Sequence, residues 1–128
     1  MSVSVQELEK AVNSLDEALQ LYKSAADDLQ KRAFRDAAIQ RFEFSIELSW
    51  KTSMKVLGSN TVAAKNAARE MARSNLIEDA TLWINFIDCR NETSHSYDED
   101  VAKKVFIIIQ QFLPEAQALL AALKLQQQ

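Results

Sequence analysis

A chain of 128 residues that is 48 % hydrophobic is long enough to bury one core and too apolar to be disordered. Its formal net charge of −3 excludes a general nucleic-acid coat, which needs surplus Lys and Arg to displace counterions; any RNA contact has to use a local patch or a partner. One Gly, one Pro and one Cys leave few tight turns, no intrachain disulfide and no Cys-rich metal site, which points to long helices in a reducing compartment.

The N-terminal MSVSVQELEK lacks the basic start and apolar stretch of a signal peptide. The longest apolar run, Val105 to Ile109, is too short to span a bilayer, so a cytoplasmic protein with no membrane partner is expected. Val5, Leu8, Val12, Leu15, Leu19, Tyr22, Ala26 and Leu29 alternate by three and four, which predicts a first amphipathic helix of some 25 residues, roughly 38 Å long.

Asp36 to Leu57 carries two signals. Phe42, Phe44, Ile46, Leu48 and Trp50 alternate as in a strand, but no turn residues flank the run, and Glu43, Glu47 and Lys51 stand four apart as helix neighbours. Read as a helix, it has one stripe of Ile39, Phe42, Ile46, Trp50 and Leu57 and a second of Phe44 and Leu48. A helix apolar on two sides must be covered on two sides; the second cover is further core or a subunit interface, so a homodimer is expected. Gly58 ends the helix as a C-cap.

Thr61 to Arg73 reads as a third, Ala-rich helix with Lys65, Arg69 and Arg73 on one face, either a solvated stripe or a phosphate-facing ridge. After the short connection Asn75 to Ile77, Asp79 starts a fourth helix carrying Leu82, Trp83, Phe86, Ile87 and, near its end, Arg90. Ser96-Tyr97-Asp98-Glu99 fits a capping box, with Ser96 as N-cap and Glu99 at N3 of the last helix. Val101, Val105, Ile108 and Phe112 form that helix's inner stripe, and Ile107 and Ile109 widen it enough to suggest deep burial. Pro114 is expected to kink or interrupt it; helix resumes to Leu125 and Gln126 to Gln128 fray. The expected fold is all-α: a single domain over residues 1–128, an up-and-down antiparallel bundle of four to five helices.

There is no Gly-rich phosphate loop, and one His excludes a two-His metal motif within the chain, so no metal or cofactor is expected. The chemistry concentrates in Arg90-Asn91-Glu92-Thr93-Ser94-His95-Ser96-Tyr97. Arg90 offers a permanent cation whose forked donors match phosphate oxygens. His95 is the one side chain whose ordinary pKa lies near neutrality, placed at N′ of a helix whose N-terminus favours an anion. Tyr97 adds a hydroxyl in the first turn. An Arg and a His at a helix end suit metal-free phosphoryl transfer. The plainer reading has His95 capping the helix and Arg90 paired with Asp88 or Glu92.

At these residues the chain resembles the HEPN superfamily, and within it the small nucleotidyltransferase substrate-binding proteins. The resemblance covers nearly the whole chain. It rests on Arg41 to Lys51 (RFEFSIELSWK), on Asn75-Leu76-Ile77 and the Trp83 region, and most sharply on Asp88-Cys89-Arg90-Asn91 followed by Ser94-His95-Ser96-Tyr97-Asp98. The family motif is an Arg, a polar residue, a short spacer, then His, any residue and Tyr; here the spacer between Arg90 and His95 is four.

The resemblance implies a dimeric helical bundle whose motif lines a cleft near the dimer interface, partnered with a separate minimal nucleotidyltransferase. It implies a toxin-like, metal-independent RNase acting on tRNA or mRNA, with the nucleotidyltransferase as antitoxin. His95 and Arg90 would be catalytic, moving the proton and stabilising the phosphate. Asn91 would orient or bind; the Lys65, Arg69 and Arg73 ridge, read from its spacing and not from the resemblance, would guide the substrate. Tyr97 would be adenylylated by the partner, blocking the cleft. The alternative is a non-catalytic subunit that holds a nucleotide or substrate for the nucleotidyltransferase.

Overall fold

The computed structural model describes residues 4–127. The first residues of the N-terminal stretch, and Gln128 of the expected frayed end, lie outside the described residues. Among the described residues five helices follow in order: α1 Gln6–Lys23, α2 Asp28–Leu57, α3 Ala64–Arg73, α4 Ala80–Glu92 and α5 Glu99–Gln126, with a 3₁₀ turn Thr93–His95 between α4 and α5. Helix α2 packs against each of the other four, and α5 also packs on α1 and α4. The all-α bundle agrees with the sequence, and the strand signal at Phe42 to Trp50 is overruled inside a 30-residue helix.

The first helix is shorter than its apolar spacing suggests. It stops at Lys23, and Leu29 lies beyond a turn, 76 % exposed. Local cap chemistry makes the break. Asp27 accepts a hydrogen bond from the Gln30 N–H (2.8 Å), and the Gln30 side chain accepts one from the Ala26 N–H (2.9 Å). Those bonds satisfy donors that a new helix start leaves open, so α2 begins eight residues before the expected Asp36.

Within α2, Phe42, Ile46 and Trp50 enter the core while Phe44 is 63 % exposed and Leu48 half-buried. Ser45, Ser49 and Ser53 are buried too, each hydroxyl donating to the carbonyl four residues back (2.7–2.8 Å), which satisfies them within the helix. The buried hydroxyls alternating with aromatic and aliphatic residues produce the strand-like pattern. Gly58 caps α2 at φ 68°, as expected. Asn75, at φ 62°, takes the same left-handed role after α3, where the Leu76 N–H reaches back to the Met71 carbonyl (2.9 Å).

Asp79 caps α4 through the N–H groups of Thr81 and Leu82. Phe112 of α5 meets Phe42 of α2 and Trp83 and Phe86 of α4 edge-on, at centroid distances of 5.0–5.6 Å. This cluster locks α4, and hence the segment that follows it, to the two long helices. Three expectations for α5 are corrected. The helix is not interrupted at Pro114, which is exposed, and runs on to Gln126. Ile107 is 58 % exposed, although Ile109 is fully buried. The N-cap is Asp98 rather than Ser96, so Glu99 is the first helical residue and not N3. By length and composition α5 would suffice to cross a membrane, but Val105, Ile109, Phe112, Leu119 and Leu123 are buried in the bundle core.

Candidate active site

The polar octapeptide does not form one loop. Arg90, Asn91 and Glu92 complete the last turn of α4, Thr93 to His95 form the 3₁₀ turn, and Ser96 and Tyr97 lead to the Asp98 cap. His95 therefore stands three residues before the cap, not at N′, and Tyr97 takes N′ outside the first turn.

Arg90 is half-buried, and its Nη1 sits 3.2 Å from Glu43 Oε2 of α2 and 3.4 Å from Thr93 Oγ1. Thr93 returns a 2.6 Å bond from its hydroxyl to the Arg90 carbonyl. The guanidinium Nε is buried without a hydrogen-bond partner among the described residues. The expected partners of Arg90 are taken elsewhere: Asp88 pairs with Lys65 (2.8 Å) and Glu92 with Lys104 (3.5 Å). Glu43 and Thr93 are thus the residues that sequence reasoning missed. The spacing of Glu43, Glu47 and Lys51 placed the two acids on one helix face, but nothing in it said which cation would meet them.

Arg90 forms a divide between two shallow cavities. One, of about 310 Å³, has Arg90, Asn91, Lys65 and Glu47 at its polar edge over Ile46, Trp50 and Ile87. The other, of about 290 Å³, is bordered by Gln40, Glu43, Phe44 and Glu47. The fold therefore brings Arg90, Asn91 and Lys65 together. Arg69, hydrogen-bonded to Asn66 (2.9 Å), and Arg73 are exposed on α3 and line neither cavity.

His95 and Tyr97 lie at the same end of α4, exposed, with ring centroids 6.2 Å apart. Tyr97 is 85 % exposed, and among the described residues neither side chain makes a hydrogen bond. Nor does any bond link Arg90 to His95. The acids around the motif are largely occupied. Glu92 is paired with Lys104. Asp98 is used by the backbone N–H groups of Asp100 and Val101. Glu99 is held by Arg35 of α2 at 2.6 and 3.2 Å. Cys89, one residue before Arg90, is buried; burial pushes its thiol up to about 12, so it is no nucleophile near neutral pH.

Residues 3–125 match the family described as nucleotidyltransferase substrate binding protein like. A Haemophilus influenzae protein named probable ribonuclease HepT is 36 % identical over 109 residues, which cover 76 % of this chain and 75 % of that protein. A solved Haemophilus influenzae structure, described as revealing the fold of a substrate binding domain of a nucleotidyltransferase, superposes with a TM-score of 0.81 at 30 % identity, covering 94 % of this chain and 99 % of that one. A Thermus thermophilus structure gives 0.77 at 29 % identity, over 91 % and 98 % of the two chains.

Proposed function

Because the chain belongs to the nucleotidyltransferase substrate-binding-protein-like family, of HEPN type, we propose that it is the metal-independent endoribonuclease of a toxin–antitoxin pair, restrained by a separate minimal nucleotidyltransferase. The observation that carries the reading is that His95 and Arg90 stand at the same end of α4, each with polar atoms that no described residue uses. The His95 imidazole is exposed with no hydrogen bond, and the half-buried Arg90 has an unpartnered Nε on a guanidinium steadied by Glu43 and Thr93. The name of the Haemophilus relative supports the same chemistry.

In this reading an RNA 2′-hydroxyl attacks the adjacent phosphorus and the bond to the 5′-oxygen breaks, leaving a 2′,3′-cyclic phosphate and a 5′-hydroxyl. His95 moves the proton in this transfer, and Arg90 faces the charge that accumulates on the pentacoordinate phosphate. Asn91, beside Arg90 at the cavity edge, orients the phosphate, and Lys65, with Arg69 and Arg73 beyond it on α3, attracts RNA. Tyr97 is the residue that the nucleotidyltransferase adenylylates, since its hydroxyl is exposed and unbonded; the added anion would obstruct the site. The exposed Phe44, next to the Arg90 cavity, supports a homodimer in which a second copy covers that face and brings its own motif close. The free thiol of Cys89 is in keeping with a cytoplasmic protein.

The test is incubation of the purified, metal-chelated protein with total tRNA beside its His95→Ala variant. Cleavage by the native protein alone is the expected result. Absence of cleavage by protein whose Tyr97 is bare by intact mass would favour the second reading, a nucleotide- or substrate-holding subunit, which the description of the Haemophilus structure supports.

A further inference from the structure

A second polar surface lies away from the Arg90 cavities. Helices α1, α2 and α5 enclose an open groove of about 690 Å³ bordered by Tyr22, Lys31, Arg32, Arg35, Lys103 and Phe106, together with Asp28 and Glu99. Its charges are not evenly matched. Arg35 is nearly buried and gives its fork to Glu99, with Asp36 at 3.5 Å, while its Nε is buried with no partner. The Arg35 hydrogen bonds hold the Glu99 carboxyl below its ordinary range, and Arg32 and Lys103 are near enough to add to the effect. Glu99 is thereby neutralised by a residue of the groove itself.

Lys31, Arg32 and Lys103 remain. All three are exposed, and among the described residues their side chains make no ion pair or hydrogen bond. Besides Glu99, Asp28 is the one acid among the described residues that borders the groove, and it sits in the first turn of α2, where the helix N-terminus favours a negative charge. This concentration of free cations stands out in a chain whose net charge is −3. At the groove floor the half-exposed Tyr22 ring leans on Phe106, with centroids 4.5 Å apart.

The groove also has a direction. Glu99 is two residues beyond Tyr97, so the α5 end of the groove opens at the motif. On α2, Arg32 and Glu43 are eleven residues apart. That is about three helical turns, so they lie on one face roughly 16 Å apart.

We propose that this groove holds the backbone of single-stranded RNA flanking the scissile phosphate, with Lys31, Arg32 and Lys103 on successive phosphates and Tyr22 against a base. Naming RNA as the occupant rests on the ribonuclease reading; the polyanion chemistry is independent of it. A cationic groove with an aromatic floor is how sequence-tolerant single-strand binders work. The assignment extends the candidate substrate surface from the α3 ridge to the other side of α2.

The experiment uses the His95→Ala protein, which on the ribonuclease reading leaves RNA intact, and a fluorescein-labelled oligouridylate of roughly a dozen nucleotides, titrated over a range of salt concentrations. The Lys31→Ala/Arg32→Ala/Lys103→Ala form should bind at least about tenfold more weakly at low salt, with the slope of log K against log salt shallower by about 2, since each lost phosphate contact removes about 0.7. The three positions are exposed and alanine favours helix, so circular dichroism should be unchanged. Equal affinity and slope in parent and triple variant would overturn the proposal. So would a loss seen only with Lys65→Ala/Arg69→Ala/Arg73→Ala, or no RNA binding by the parent at all. If the triple variant instead loses only the purified nucleotidyltransferase, the groove is a protein-docking face and the RNA assignment fails. If the groove binds RNA as expected but the native protein does not cleave tRNA, the ribonuclease reading fails and the groove stands.

Discussion

Arg90 of α4 and Glu43 of α2 face each other at 3.2 Å across the bundle surface, 47 residues apart in sequence, and both are about one-third exposed. An ion pair this open contributes at most about 1 kcal/mol to stability. Its stronger effect is to aim the guanidinium. Nη1 alone serves both Glu43 and Thr93, so Arg90→Lys keeps the charge but removes the planar fork whose other donors remain for a phosphate. RNA cleavage should fall about a hundredfold, with thermal unfolding nearly unchanged. Cleavage at the native rate by Arg90→Lys would show that the planar fork has no part in the reaction.

Tyr97 carries a hydroxyl that nothing in the described structure uses. Tyr97→Phe should therefore fold and cleave RNA much like the native protein. When produced together with the nucleotidyltransferase it should show no added AMP by intact mass, and it should stay active where the native protein is silenced. Silencing of Tyr97→Phe to the same degree would place the modified residue elsewhere.

The cap of α5 distinguishes Asp98 from Ser96, two residues before it. Asp98→Ala removes the acceptor for the Asp100 and Val101 N–H groups and should cost about 1 kcal/mol. Ser96→Ala should change stability by less than about 0.5 kcal/mol. Chemical denaturation of the two variants ranks them, and the reverse order would restore the Ser96 capping box.

The Arg35–Glu99 pair has a pH signature. Arg35 holds the Glu99 carboxyl below its ordinary value of 4.5, so the folded state favours the carboxylate. The resulting stabilisation is present above that value and is lost as pH falls through the lowered value of the folded state. Glu99→Gln removes it. The difference in melting temperature between native and Glu99→Gln protein should be widest near neutral pH and close as the pH falls below about 4.5. A difference that stays constant through this range would mean that the Glu99 charge is immaterial to the contact.

The failed Ser96 box and the Arg35–Glu99 pair have one cause. Read along the chain, Ser96 and Glu99 have the spacing of reciprocal caps. In the fold, the Glu99 carboxylate lies 2.6 Å from an arginine 64 residues earlier, and a charged fork outcompetes a backbone N–H. Arg90 repeats the pattern: the nearby acids Asp88 and Glu92 were the local candidates, yet α3 and α5 supply lysines that take them, and α2 supplies Glu43. The early end of α1 is different, because its cause is local. Asp27 and Gln30 are cap residues in plain view, masked by an apolar spacing that ran on to Leu29.

The sequence by itself determined the helical class, the caps at Gly58 and Asp79, the core stripe of α2 and the Arg90 to Tyr97 motif, since backbone propensity and side-chain periodicity act over a few residues. Tertiary structure alone decided that Phe44 and Ile107 stay outside, that Arg90 leans on Glu43, and that Lys31, Arg32 and Lys103 come from two helices to one groove. Periodicity tells which residues share a face; only the packing of other helices tells which faces are covered and which charges meet.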